Sequence, residues 1–280
     1  MPRQKLPELK TQMSNLPLIM GIVNATGDSF SEGVLSSPAS ALDRALALLD
    51  AGADIIDIGA ESTRPGAAEI PVEQECSVIK NLLVQIFSLR PGAAVSVDTR
   101  NALTAQAALD LGAKYINDVS MLSHDEKMAK TVAQYDAALV ICHSRGTPQT
   151  MRDKVFCTYP GGVVEDVCAE LLEAADKAAA QGVKRENIIF DPGFGFAKDV
   201  EQQLTMLRRA DEFCKLGRTL AGLSRKSFLG ALTGVETPAE RVGSTLAAEL
   251  QLAECGIEII RTHKAGYLRD ALAIKQHLRV

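Results

Sequence analysis

Two stretches in the carboxyl-terminal quarter of the chain concentrate positive charge within a few residues, Ser224-Arg225-Lys226-Ser227 and Arg261-Thr262-His263. Guanidinium, ammonium and imidazolium groups so arranged suit a multiply charged anion, because they offer charge-assisted N–H donors that match phosphate oxygens. An arginine and a histidine two residues apart leave the same face of a strand. Elsewhere the polar residues are of another kind. Asp98, Asn117 and Asp191 supply carboxylate and amide groups of the sort that hydrogen-bond a flat heterocycle rich in N–H donors and carbonyl acceptors. A carboxylate buried without such a partner would be costly, and the set therefore favours a polar ring ligand. Two further segments, Asn24-Ala-Thr-Gly-Asp28-Ser-Phe30-Ser and Glu61-Ser-Thr63-Arg64-Pro65-Gly66, mix turn formers, hydroxyls and isolated charges. That composition suits lids over a rim site, although solvated connections look similar.

Groups so scattered in sequence need a scaffold that gathers them. Eight short β-branched or aliphatic runs punctuate the chain, at residues 18–24, 53–59, 93–99, 114–120, 137–143, 187–193, 220–226 and 258–263. Each is followed by a stretch with helical periodicity, such as SALDRALALLDAG, for which Ser40 is expected as N-cap and Gly52 as the stop. Uniformly apolar strands suit a parallel sheet covered by helices. Eight such pairs predict an α/β fold, a (β/α)8 TIM barrel forming a single domain over residues 17–280, with residues 1–16 as a flexible lead-in. A doubly wound open sheet shares the alternation, but it normally has fewer units or a G-x-G-x-x-G after the first strand. In a barrel the strand ends converge at one rim: Asn24, Asp57 with Glu61, Asp98, Asn117 with Asp118, His143, Asp191, Arg225 with Lys226, and Arg261 with His263. Taken singly, Asp57 reads as a turn former and Arg225 as a salt-bridge partner.

The 280 residues carry 30 Lys and Arg against 35 Asp and Glu, a formal charge of −5. Such a surface makes nucleic acid and anionic membranes poor partners. No apolar run approaches the ~20 residues that span a bilayer, and the first residues lack a secretory signal's apolar stretch, so a cytoplasmic protein is expected. The six cysteines are scattered, with no C-x-x-C pair, which favours reduced thiols over a disulfide frame or a zinc site.

The segments MGIVNATGDSFSEG, DIGAESTRPGAAE, SVDT, YINDVS, DPGFGF, LSRKSFLG and IIRTH resemble, in order and spacing, the signature blocks of dihydropteroate synthases. The likeness runs from about Leu18 to the C-terminus. It implies Mg2+-assisted transfer of a dihydropterin methyl group from its diphosphate to the amine of 4-aminobenzoate, a step in folate synthesis, by a homodimer. Carried over by position, Lys226, Arg261 and His263 would be catalytic, and Asp98, Asn117, Asp191 and Lys226 would hold the pterin. Asn24, Arg64, Arg261 and His263 would hold the diphosphate, Asn24 through the metal. Phe30, Thr63, Arg64, Pro65, Phe194 and Ser227 would shape the aminobenzoate site. This chain departs from the family pattern at Gly27, Ala60, Cys142-His143-Ser144-Arg145 and Lys264. Two alternatives share part of the pattern, a pterin-dependent methyltransferase barrel and a pterin-binding paralogue without turnover.

Overall fold

The computed structural model describes residues 16–25, 38–60, 70–147, 149–151 and 153–278. The lead-in up to residue 15 and the loop positions Phe30, Thr63, Arg64 and Pro65 lie outside the described residues. Leu16, at the end of the expected lead-in, packs against the core.

The strands β1 (Leu18–Asn24), β2 (Ile55–Gly59), β3 (Ala94–Asp98), β4 (Tyr115–Asp118), β5 (Ala138–Cys142), β6 (Ile188–Asp191), β7 (Arg218–Ala221) and β8 (Ile259–Thr262) are all parallel and close into a barrel in sequence order. Helices α1 (Pro38–Asp50), α2 (Val72–Leu89), α3 (Ala102–Asp110), α4 (Met128–Gln134), α5 (Val163–Ala180), α6 (Val200–Arg208), α7 (Asp211–Cys214), α8 (Ser227–Thr233), α9 (Val242–Cys255) and α10 (Ala265–Leu278) alternate with them. The expected (β/α)8 barrel is the observed one.

Strand pleating sorts the residues. One set, including Ile19, Val23, Ile56, Ile58, Val95, Val97, Ile116 and Ile260, joins the large cluster between strands and helices. The alternate set faces the barrel axis. Met20, Ile55, Val140, Ile189, Leu220 and Ile259, with Ala94, Tyr115 and Ala138 against them, form a separate apolar plug to which every strand contributes. Two residues further along β2, β3, β4, β6 and β8 the same inward face carries Asp57, Ser96, Asn117, Asp191 and Arg261. A polar layer therefore lies directly on a dry floor, at the carboxyl ends of the strands.

Two expectations need correction. Helix α1 begins at Pro38, so Ser40 lies inside it and is not its cap, whereas proline is well suited to a first helical position. The run 220–226 is not a strand to its end. Pairing stops at Ala221, and Gly222 to Lys226 form a turn with Arg225 at φ 63°. A left-handed residue cannot continue a pleated ladder, so Ser224, Arg225 and Lys226 sit on a βα loop.

Helix α9 holds an acid in its buried face. Glu249 is 2% exposed, and burial pushes its carboxyl up to about 8 against the lowering effect of the Thr262 hydroxyl. An acid raised by folding stabilises the fold less as pH climbs, because the unfolded chain ionises near its ordinary value while the native state holds the proton. The window runs from about 4.5 to about 8. Between pH 5 and 8, Glu249→Gln should therefore gain on the order of 3 kcal/mol over the wild type, at ~1.4 kcal/mol per unit. Urea midpoints at both pH values measure the gain, and parallel pH dependence in the two proteins would show Glu249 already ionised.

Candidate active site

The polar layer is organised by one cation. Arg261 donates from Nε to Asp57 Oδ2 at 2.6 Å and from Nη2 to Asp98 Oδ2 at 2.9 Å. Asn117 donates from Nδ2 to the same Asp57 oxygen at 3.1 Å. Register makes this possible: Gly59 lies beside Asp98, and Asp98 beside Asn117, while Arg261 flanks Met20 across the β1–β8 seam. Asp57 is fully buried, and its Oδ1 has no hydrogen-bond partner among the described residues. The same holds for Oδ1 of Asn117. Burial pushes the Asp98 carboxyl up to about 7, with Arg261 pulling it down and Asp57, Glu75 and Asp118 reinforcing the rise. The layer thus has acceptors awaiting N–H donors and a carboxyl able to hold or release a proton near neutrality.

Asp191 closes the layer from β6. Burial raises its carboxyl, while the Gly193 N–H, donating to Oδ1 at 2.8 Å, and Lys226 draw it down. Lys226 is itself lowered by burial, and its Nζ stands 4.6 Å from the Phe196 ring centroid. Two glycines of Asp191-Pro-Gly-Phe-Gly-Phe let these elements meet. At Gly193, φ 68°, a Cβ would come within 1.9 Å of the His143 carbonyl oxygen. At Gly195, φ 87°, it would meet Lys226 Cδ at 2.8 Å. Helix α9 fixes the backbone around Lys226. Arg241 Nη1 donates to the carbonyl of Arg225 at 2.9 Å, and Thr245 Oγ1 accepts from Arg225 N–H at 3.1 Å.

His263 follows β8. Its backbone N–H reaches Ser224 Oγ at 3.2 Å and its Nδ1 lies 2.9 Å from the same oxygen. The hydroxyl therefore ties the two cationic segments together. Phe194 is buried and stacks on Phe228, centroids 6.5 Å apart, while Ser227 is exposed at the start of α8. Asn24, partly buried, ends β1 opposite Gly59. The structure thus gathers Asp98, Asn117, Asp191, Lys226 and Arg261 in and over one layer, and Ser224 fastens His263 beside them.

His143 departs from the rim pattern. It is fully buried, with Nε2 3.2 Å from Glu170 Oε2 and Nδ1 3.0 Å from Lys198 Nζ. Burial and Lys198 hold its pKa down to about 4, so it is neutral and belongs to the support behind the site. This support forms no motif in the sequence. Arg145 pairs with Glu170, Tyr159 O–H donates to the Ala197 carbonyl at 2.9 Å, and Glu75 accepts from Asn101 and Thr104 at 2.8 and 2.6 Å. Only Lys198 carried a signal, its place at the end of the Gly-rich segment after β6. All six cysteines are free thiols.

A barrel with this polar layer defines a class, and the chain belongs to it by sequence as well: residues 20–263 match the model of the pterin binding enzyme family, so this is a pterin binding enzyme. Its relatives are more specific. It is 38% identical over 249 residues to a dihydropteroate synthase of Synechocystis, covering 88% of this chain and 84% of that one. It is also 37% identical over 270 residues to a folic acid synthesis protein of Schizosaccharomyces pombe, of which it spans 37%. A dihydropteroate synthase of Xanthomonas albilineans, solved with 4-aminobenzoic acid, superimposes with a TM-score of 0.84 at 36% identity, covering 95% of this chain and 94% of that one.

Proposed function

We propose that this protein is a dihydropteroate synthase, which condenses 6-hydroxymethyl-7,8-dihydropterin diphosphate with 4-aminobenzoate to give 7,8-dihydropteroate and pyrophosphate in folate biosynthesis. The observation that carries this reading is the buried Oδ1 of Asn117, without a hydrogen-bond partner among the described residues, within the layer of Asp57, Asp98 and Arg261. A ring that presents N–H donors to Asn117 and the aspartates would satisfy acceptors the protein leaves open, and Lys226 would donate to its carbonyl side.

The reaction breaks the bond between the exocyclic carbon and the diphosphate oxygen, with the electron pair leaving on pyrophosphate. The electron-rich dihydropterin stabilises the resulting cation, the amine nitrogen of 4-aminobenzoate bonds to it, and one amine proton is lost. No protein nucleophile is required. Arg261 and His263 would meet the charge that grows on the leaving group. Phe194 and Ser227, with Phe30, Thr63, Arg64 and Pro65, would form the aminobenzoate site. Arg64 and Asn24 would complete the diphosphate site.

Mg2+ is the proposed cofactor. Mg2+ prefers oxygen ligands, keeps several waters and is commonly held by one or two protein groups together with substrate phosphates. Among the described residues no three His, Cys, Asp or Glu gather as a metal cage, and the amide oxygen of Asn24 fits a site completed by the substrate's diphosphate. Bound there, the ion would neutralise charge on the departing pyrophosphate. No helix of the described residues is long and apolar enough to cross a membrane. We place the enzyme in the cytoplasm, acting on small molecules rather than nucleic acid or membranes, and as a homodimer. Exposed Tyr267, Ile274 and Leu278, spaced along one side of α10, support self-association.

The experiment is pyrophosphate release by purified protein with both substrates and Mg2+, beside calorimetric titration of a pterin ligand. Asp191→Asn and Lys226→Ala should each weaken the pterin by about 1.5 to 3 kcal/mol, as removal of a charged hydrogen-bond partner does. Binding without release would make the protein a non-catalytic paralogue. Unchanged affinity in both variants would remove the pterin pocket from this layer.

A further inference from the structure

The Lys198 ammonium, buried behind the candidate site, has three partners. Its Nζ lies 3.0 Å from His143 Nδ1, 3.1 Å from the Gly193 carbonyl oxygen and 2.9 Å from the Phe196 carbonyl oxygen. The ring partner can be oriented. His143 is neutral, and its Nε2 faces Glu170, an acceptor held well into its charged form by His143 and Arg145. The ring proton therefore sits on Nε2, and Nδ1 presents a lone pair. Three acceptors meet an ammonium that has three protons and no lone pair. A neutral amine would fill two of them and leave its own lone pair against an acceptor.

Two of those acceptors belong to the segment that presents Phe194 and Phe196 and leads out of Asp191. The rest of this segment is held at its ends, by a turn bond from Phe196 N–H to the Gly193 carbonyl at 3.2 Å, and by the Tyr159 O–H on the Ala197 carbonyl at 2.9 Å. Upstream, β6 and the bond from Gly193 N–H to Asp191 hold it. Downstream, Asp199 and Gln202 form a reciprocal capping box at the start of α6, with bonds of 2.8 and 2.9 Å. Between the two, Gly193 and Gly195 have positive φ and little intrinsic stiffness. On the far side Arg145 joins Glu170, covers the Tyr159 ring at 4.0 Å, and donates to the Thr158 carbonyl at 2.7 Å. Arg145 thus roots the chain of contacts in the loop after β5.

We infer that Lys198 is a positioning residue for the pterin and aminobenzoate pockets: its ammonium, aligned by the Arg145, Glu170 and His143 chain, pins the Gly193 to Phe196 segment so that Asp191, Phe194 and the Phe196 ring beneath Lys226 hold their places. This rests on the proposed pterin reading of the layer. Because the three-acceptor cradle fits the cation, the pin loosens when Lys198 loses its proton. Burial brings that event down to about pH 7. The charged and titratable groups facing Lys198 are Cys142 on β5, Asp191 on β6, Glu170 on α5, and His143, Arg145, Cys157 and Tyr159 on the loop after β5. Of these, Cys142 and Tyr159 are pushed upward by burial and stay neutral through the range of interest, and Glu170 stays charged.

The test is the affinity of a pterin ligand from pH 6 to 9 in the wild type, Lys198→Met, Glu170→Gln and Asp191→Asn. Lys198→Met should bind about tenfold more weakly than the wild type at pH 6, the loss expected of a charged hydrogen-bonding partner, and nearly as well at pH 9. Taking the ratio of the two proteins removes the titration of Asp98, which both retain. Glu170→Gln takes away an anion that favours the ammonium, so its pH dependence should move to lower pH, and this arm stands even where Lys198→Met fails to fold. A ratio that stays constant with pH, or affinity in Lys198→Met equal to the wild type, would overturn the inference. So would a Glu170→Gln profile that coincides with the wild type. If Asp191→Asn, like Lys226→Ala, binds normally, the pterin reading falls and this inference with it. If Asp191→Asn loses the ligand while Lys198→Met keeps it, only the role given to Lys198 is lost.

Discussion

Arg261→Ala is expected to unfold at clearly lower urea than the wild type, with a loss of about 3 to 5 kcal/mol at pH 8, the usual cost of leaving partners of a buried ion pair uncompensated. Removing the guanidinium strands two carboxylates, Asp57 and Asp98, in a layer where Asp57 is already fully buried. The loss should shrink on acidification. Asp98 is pushed up to about 7 even with Arg261 beside it, and without that cation it takes up a proton at higher pH still, so near pH 5.5 the variant carries less buried charge. Denaturation at pH 5.5 and 8 measures both parts. A variant as stable as the wild type at pH 8 would show that water or a rearranged side chain serves the aspartates. The consequence for kinetics is practical: lost turnover in Arg261→Ala reports folding as well as chemistry, and Arg261→Lys is the fairer probe of the anion site.

His263→Ala should separate the two effects. Its Nδ1 lies 2.9 Å from the neutral Ser224 hydroxyl, away from the Asp57 and Asp98 pair that Arg261 holds. Losing a donor to a leaving group that gains charge in the transition state costs about a hundredfold or more in kcat, whereas affinity for the pterin should stay within a few-fold. Turnover and pterin affinity, measured on one preparation, decide the matter. Equal losses in both would make His263 a ground-state ligand of the diphosphate.

The barrel was readable because inward and outward residues alternate along runs short enough to be strands, and because polar residues recur at their ends. Asp98, Asn117, Asp191 and Arg261 come together for that reason. Strand β7 was read too far along the chain, since Leu220 to Leu223 is aliphatic and nothing local announces that Arg225 turns left-handed. His143 ended a strand like the others, yet its partners Glu170 and Lys198 lie 27 and 55 residues away, and only folding brings them to its ring. Glu249 is likewise opaque in sequence, because an acid in an amphipathic helix resembles a solvated one. The loops with Phe30, Thr63, Arg64 and Pro65 lie outside the described residues, and their part in the aminobenzoate site rests on the family likeness.

The plug built from Met20, Ile55, Val140, Ile189, Leu220 and Ile259 has a consequence for traffic. With one end of the barrel sealed by these apolar side chains, the described residues leave the carboxyl-terminal rim as the shared way in and out for the proposed substrates and products. On the proposed binding mode the pterin would lie deepest and would have to enter ahead of the aminobenzoate, and anything seated near the rim would bar the exit of what lies below. On the proposed reaction the chamber works as a stack, last in and first out: aminobenzoate arriving first would block the queue, and its excess should slow the enzyme by obstruction.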